Sequence, residues 1–119
     1  MDLKMKERLI QGGINVDELL ERLLGHEAML ERLFKRFLQD SSFQTLCQAV
    51  ETGAAEEALA ASHTLKGMCG NLSMVDLTSQ FTQQVALLRA GDWEGAVKIM
   101  PQLRQDYERV CNAIRGCWL

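Results

Sequence analysis

One histidine in this chain stands in a setting that suits chemistry. Residues 62–72 read Ser62-His63-Thr64-Leu65-Lys66-Gly67-Met68-Cys69-Gly70-Asn71-Leu72. Spaced about 100° apart on a helical wheel, Leu65, Met68, Cys69 and Leu72, with the upstream Ala58, Ala61 and Ser62, fall within about 60° of one line. His63 lies about 160° from that apolar line, which turns it to solvent, with Gly67 and Gly70 one and two turns on and Ala60 one turn before. Imidazole is the side chain whose neutral, nucleophilic form is available near neutral pH. Lys66, about 100° round the wheel, supplies a point positive charge beside any dianionic group carried on the ring. An exposed pair of that kind contributes only about 0 to 1 kcal/mol, so Lys66 orients and steers. A glycine inside a helix costs about 0.5 to 1 kcal/mol relative to alanine, and two share the histidine's face. Gly67 removes the side chain that would stand over the imidazole and so leaves room for another protein's surface. The ordinary alternative is that these glycines let a neighbouring helix approach closely.

The other reactive residue types form no comparable group. Cys47, Cys69, Cys111 and Cys117 include no C-x-x-C pair, and His26 and His63 are not spaced as metal ligands to them. Buried reduced thiols and no metal site are the reading. His26 follows Gly25 at a helix start, a place for capping or solvation. Glu56, Glu57 and the mixed run Glu31-Arg32 with Lys35-Arg36 mark solvated faces. No Ser-His-Asp or Cys-His constellation is present, so the chain offers no active site of its own.

These residues must be positioned by helices, because apolar residues recur at three- and four-residue steps throughout. A short N-terminal helix should end near Gly12-Gly13. Asn15, with Glu18 three residues on, caps a helix from Val16 to Leu24, stopped by Gly25. From His26 a second long pattern carries Leu30, Leu33, Phe34 and Phe37, then changes phase at Asp40-Ser41-Ser42 before Phe43, Leu46, Cys47 and Val50. The histidine's helix spans about Ala55 to Leu72. Ser73 and Asp76 resemble a capping box for the next, Met74 to Ala90. Gly91-Asp92 then opens a last helix from Trp93, whose stripe of Ala96, Met100, Leu103, Tyr107, Val110 and Ile114 faces inward, with a kink one turn before Pro101. Gly12, Gly13, Gly25, Gly53, Gly91 and Gly116 fall where helices should stop; Gly95 has no evident role. The fold class is therefore all-α: one domain over residues 1–119, an up-and-down antiparallel four-helix bundle with a short N-terminal capping helix.

The run His63-Thr64-Leu65-Lys66-Gly67 resembles the H-x-L-K-G signature of histidine-containing phosphotransfer (HPt) domains. The stretches Ile14-Asn15-Val16-Asp17-Glu18-Leu19-Leu20-Glu21-Arg22-Leu23 and Arg89-Ala90-Gly91-Asp92-Trp93-Glu94 are also similar to that family, so the resemblance covers about residues 14–115. It implies a phosphocarrier in a His-Asp relay, in which His63 accepts a phosphoryl group and exchanges it with the aspartate of a response-regulator receiver domain. Lys66 then assists the phosphoryl group and Gly67 gives the partner access. Ala60, Thr64 and Gly70 lie on the docking surface. Receiver domains and a hybrid sensor histidine kinase are the implied partners. No cofactor is implied for this chain, because magnesium and most of the catalysis belong to the receiver. The alternative is a helical interaction module that binds a receiver or kinase without taking phosphate.

The chain departs from the family pattern twice. Members often have glycine where Ser73 stands, and often a glutamine or glutamate about 22 residues after the histidine, where this chain has Val85 with Gln84 beside it. Gln84 is the candidate for holding the ring's other nitrogen.

Composition narrows the partners. With 13 Lys+Arg against 16 Asp+Glu, the chain has no basic surplus for nucleic acid. It has no apolar run long enough to span a membrane and no secretory leader pattern at Met1-Asp2-Leu3-Lys4, so the cytoplasm is expected, and with no linker or second domain visible a monomer is the default.

Overall fold

The computed structural model describes residues 1–118 and builds them from eight helices. These are α1 (Leu3–Gln11), α2 (Val16–Arg22), α3 (Glu27–Gln39), α4 (Ser42–Thr52), α5 (Ala55–Asn71), α6 (Val75–Arg89), α7 (Trp93–Lys98) and α8 (Met100–Trp118). The all-α expectation holds. α4 packs on α5, α5 on α6, α6 on α8 and α8 on α3, which closes a four-sided bundle with α3 and α4 sharing one side. α1 lies on α8, and a Cβ on Gly12 would come within 2.5 Å of the Ala113 Cβ, so glycine is what permits that close approach. No helix among the described residues is long and apolar enough to cross a membrane.

The change of phase after Phe37 becomes a break. α3 ends at Gln39, Asp40 adopts an extended backbone, and its carboxylate accepts from the Ser42 backbone N–H at 2.8 Å. In one continuous helix Phe37 and Phe43 would point about 120° apart. The break lets both meet Tyr107 of α8: Phe43 stacks on it at 4.1 Å between centroids and Phe37 lies tilted at 5.6 Å. Aromatic contact across the bundle thus joins α3 and α4 to α8.

The last helical stretch departs from expectation. Instead of one kinked helix, the chain is interrupted at Ile99 to give α7 and α8, and Pro101 sits in the first turn of α8, where a missing N–H costs no helical bond. Gly116 lies inside α8 rather than at its end. Gly95 gains a role: its N–H donates to the Asp92 cap at 2.9 Å, and a Cβ there would stand 2.5 Å from that carboxylate. In the inward stripe Ala96, Met100, Leu103, Val110 and Ile114 are buried, while Tyr107 is half-buried.

α2 ends at Arg22, two residues before the expected boundary, and Leu24 takes a left-handed backbone with φ 54°. Ser73 is likewise not the cap of α6. That position belongs to Met74, without a side-chain cap, while Ser73 has φ 55°. An L-residue there pays roughly 1 to 2 kcal/mol, which accounts for glycine being common at this position. Compensation comes from α2: the Ser73 hydroxyl donates to Glu18 Oε1 at 2.8 Å and accepts from the Arg22 guanidinium. The backbones of the two connections also pair, Asn15 N–H with Ser73 O at 2.8 Å and Val75 N–H with Gly13 O at 3.2 Å.

Candidate functional site

α5 is amphipathic on the expected faces. Ala58, Ala61, Ser62, Leu65 and Cys69 are buried, and His63 is exposed one residue round from Ser62. Its helix begins with Glu56 and Glu57 in the first turn, where carboxylates favour the positive end of the dipole. Alanine at 55, 58, 60 and 61 adds helix propensity before the two glycines draw on it.

Around His63 the surface is low and open. Ala60, Thr64 and Gly67 are exposed, Gly70 and Lys66 are half-buried, and the Thr64 hydroxyl is turned back onto Ala60 O at 3.0 Å. A Cβ on Gly67 would meet nothing within 4 Å, and one on Gly70 would meet only Thr78 Cγ2, at an ordinary 3.7 Å. Close approach of a neighbouring helix therefore requires neither glycine. The fold gives no reason for Gly67, and its effect is to leave the ring uncovered one turn, about 6 Å, along the axis.

Gln84 does reach α5, but at Ser62. It is fully buried; its Oε1 accepts from the Ser62 hydroxyl at 2.8 Å, and its Nε2 donates to Ala96 O and Met100 Sδ, both at 3.1 Å. Its amide is committed to the α6–α7–α8 junction, so it does not hold the His63 ring. Val85, at the family's spacing, is buried and apolar. No fold side chain bonds the imidazole among the described residues, and the ring is left to water or a partner.

The remaining reactive groups stay apart from this site. His26 is the exposed N-cap residue of α3, without a side-chain cap bond. Burial pushes all four thiols up, Cys69 to about 12, so none is an activated thiolate near neutral pH. Glu31 pairs with Lys35 at 2.8 Å along α3, a solvated-face contact. No group of three or more His, Cys, Asp or Glu side chains among the described residues is arranged to hold a metal ion.

The site is thus a lone solvent-facing imidazole on a rigid helix, with a lysine one turn on and an uncovered glycine beside it. Residues 16–113 match the family model for the Hpt domain. The chain belongs to the Hpt domain family. Hpt domains carry phosphoryl groups on histidine in two-component phosphorelays and interact there with receiver domains and kinases. Comparison with curated proteins and with solved structures gives no significant match. In this Hpt domain the sequence placed the exposed histidine and the glycine pair correctly on α5. It missed the Ser62–Gln84 bond, whose only sequence signal is a polar residue on each of two otherwise apolar stripes. It also missed the left-handed Ser73, for which the usual glycine was the available sign.

Proposed function

We propose that this Hpt domain is a phosphocarrier in which His63 takes the phosphoryl group from an aspartyl phosphate of a receiver domain and returns it. A ring nitrogen's lone pair attacks phosphorus, the N–P bond forms as the acyl O–P bond breaks, and the aspartate carboxylate leaves with the electron pair. The observation that carries this reading is the open space over Gly67 beside an exposed histidine. A helix tolerates that destabilising residue where an approaching surface needs the room.

Each neighbour has a part in the proposal. Lys66 lies one turn from His63 and balances charge on the phosphorylated ring. Ala60, Thr64, Gly67 and Gly70 form the surface on which the receiver seats, and the rigid backbone of α5 holds the nitrogen in line with the breaking bond. The partner supplies magnesium and the remaining catalytic groups, while this chain supplies the nucleophile. A monomer in the cytoplasm, where receivers are encountered, is the setting we propose.

The test is to incubate the chain with receiver domains of its source organism, each phosphorylated with acetyl phosphate. The expected result is acid-labile phosphate on the parent chain and none on His63→Gln. Label that persists in His63→Gln, or a panel in which no receiver exchanges with the parent, overturns the proposal.

A further inference from the structure

The same pair of hydrogen bonds closes α1, α2, α4, α5 and α6. In each, one residue past the helix end donates three residues back and the next donates five back, as in Leu24 N–H to Glu21 O at 3.1 Å and Gly25 N–H to Leu20 O at 2.8 Å. This closure needs a left-handed residue, usually glycine. Gly13, Gly53 and Gly91 fill that place in three of the five, with φ between 71° and 103°. Ser73 fills it in the fourth and is held by Glu18 and Arg22. Leu24 fills it in the fifth, and nothing in the fold compensates: its side chain is 85 % exposed, the highest among the exposed large apolar side chains. A β-carbon in this backbone region is sterically costly, and an exposed isobutyl group recovers none of that cost by burial. Glycine would close the turn better for the fold alone.

The location of the turn suggests what Leu24 meets. Arg22, two residues before it, donates to Gly70 O at 3.1 Å, which fastens the end of α2 to the Gly70 end of the His63 face. Gly70 lies about 10 Å along α5 from His63. A standard interface covers about 800 Å² on each partner, a patch roughly 30 Å across, so a protein seated on the Gly70 end of the His63 face extends toward this turn. Further apolar side chains lie between α3 and the His63 helix. Met29, 43 % exposed, begins a track on α3 that runs into a groove of about 330 Å³ lined by Leu33, Phe37, Met68 and Leu72, and Met68 adjoins Gly67. Arg36 and Asp40 line the same groove; the Asp40 carboxylate accepts from the Ser42 N–H, while neither Arg36 nor the exposed Arg32 has an ion pair among the described residues, which suits a partner bringing an aspartyl phosphate.

We infer that Leu24 is an apolar anchor for the receiver domain that docks over His63, so that the left-handed leucine serves binding at the expense of the fold. The inference rests on the phosphotransfer reading. Leu24 contributes to docking and not to the chemical step, because it lies beyond the end of α2, outside the helix that carries the ring, and its side chain has no group that bonds or moves a proton.

The experiment uses Leu24→Gly and Leu24→Met in the full chain, with the receiver that exchanges fastest with the parent. Labelling of His63 by phosphoramidate, which needs no docking, serves as the control. For Leu24→Gly we expect an equal or higher thermal midpoint, unchanged phosphoramidate labelling and unchanged transfer rate at saturating receiver. The receiver concentration at half-maximal rate should rise at least fivefold, and Leu24→Met should restore it. Unchanged half-saturation in Leu24→Gly overturns the inference while leaving phosphotransfer intact. A lowered midpoint with unchanged half-saturation assigns Leu24 to the fold and also overturns it, as does Leu24-dependent self-association of the parent in gel filtration. If no receiver labels the parent, the phosphotransfer reading itself falls.

Discussion

The Ser62 hydroxyl donates to Gln84 Oε1 at 2.8 Å inside the bundle, one residue before the solvent-facing His63. Because Ser62 and His63 point about 100° apart on one helix, a bond that fixes Ser62 against α6 also fixes how far round His63 is turned. Gln84 therefore acts on the rotation of α5 and not on the ring. Its amide nitrogen ties the same point to Ala96 and Met100. Gln84→Leu should cost about 1 to 3 kcal/mol, because it leaves Ser62 and the Ala96 carbonyl buried without partners. The thermal midpoint should fall by about 5 to 10 °C. Adding Ser62→Ala should recover part of the loss, since removing both partners leaves fewer polar groups unpaired. Phosphoramidate labelling of His63 per folded molecule should be unchanged in both variants; a lost label would restore Gln84 to the ring.

Gly67 separates helix stability from access. Alanine fits the space above it, so Gly67→Ala should raise stability by about 0.5 to 1 kcal/mol, read as a higher thermal midpoint. Gly67→Glu should fold, accept label from phosphoramidate and fail to exchange with a receiver. Unimpaired exchange in Gly67→Glu would mean that the partner approaches from another side.

Ser73 tests the balance between backbone strain and side-chain bonding. In Ser73→Gly the relief at φ 55° offsets the lost bonds to Glu18 and Arg22, and stability should change by less than about 1 kcal/mol. Ser73→Val keeps the strain, adds a β-branch and loses both bonds; a fall of about 2 to 3 kcal/mol in chemical denaturation is expected.

Cys69 makes the fold sensitive to alkali. Burial raises its thiol from 9.0 to about 12. The unfolded chain therefore gives up this proton at lower pH than the folded chain does. Stability from this group is complete below about pH 9 and is lost progressively as pH rises toward 12. Denaturation midpoints measured across that range should fall more steeply for the parent than for Cys69→Ala, with no difference in slope near neutrality. At neutral pH the thiol should react with an alkylating reagent only after unfolding.

Local spacing alone determined a good deal of this protein. Helical periodicity placed Ala58, Ala61, Leu65 and Cys69 inside and His63 outside, and it located the break after Phe37, because side-chain direction on a helix depends only on position within a turn. Helix ends were less legible. Leu24 and Ser73 take the left-handed place that glycine usually fills, so the sequence signalled the stop at Gly25, after Leu24, and carried a misleading cap signal at Ser73. Tertiary structure decided the partners of Gln84, the bridge from Glu18 and Arg22 to Ser73 and the fastening of α2 to Gly70. Each joins residues 12 to 55 positions apart, and such pairs meet only when the bundle closes; no periodicity along the chain encodes which ones they are.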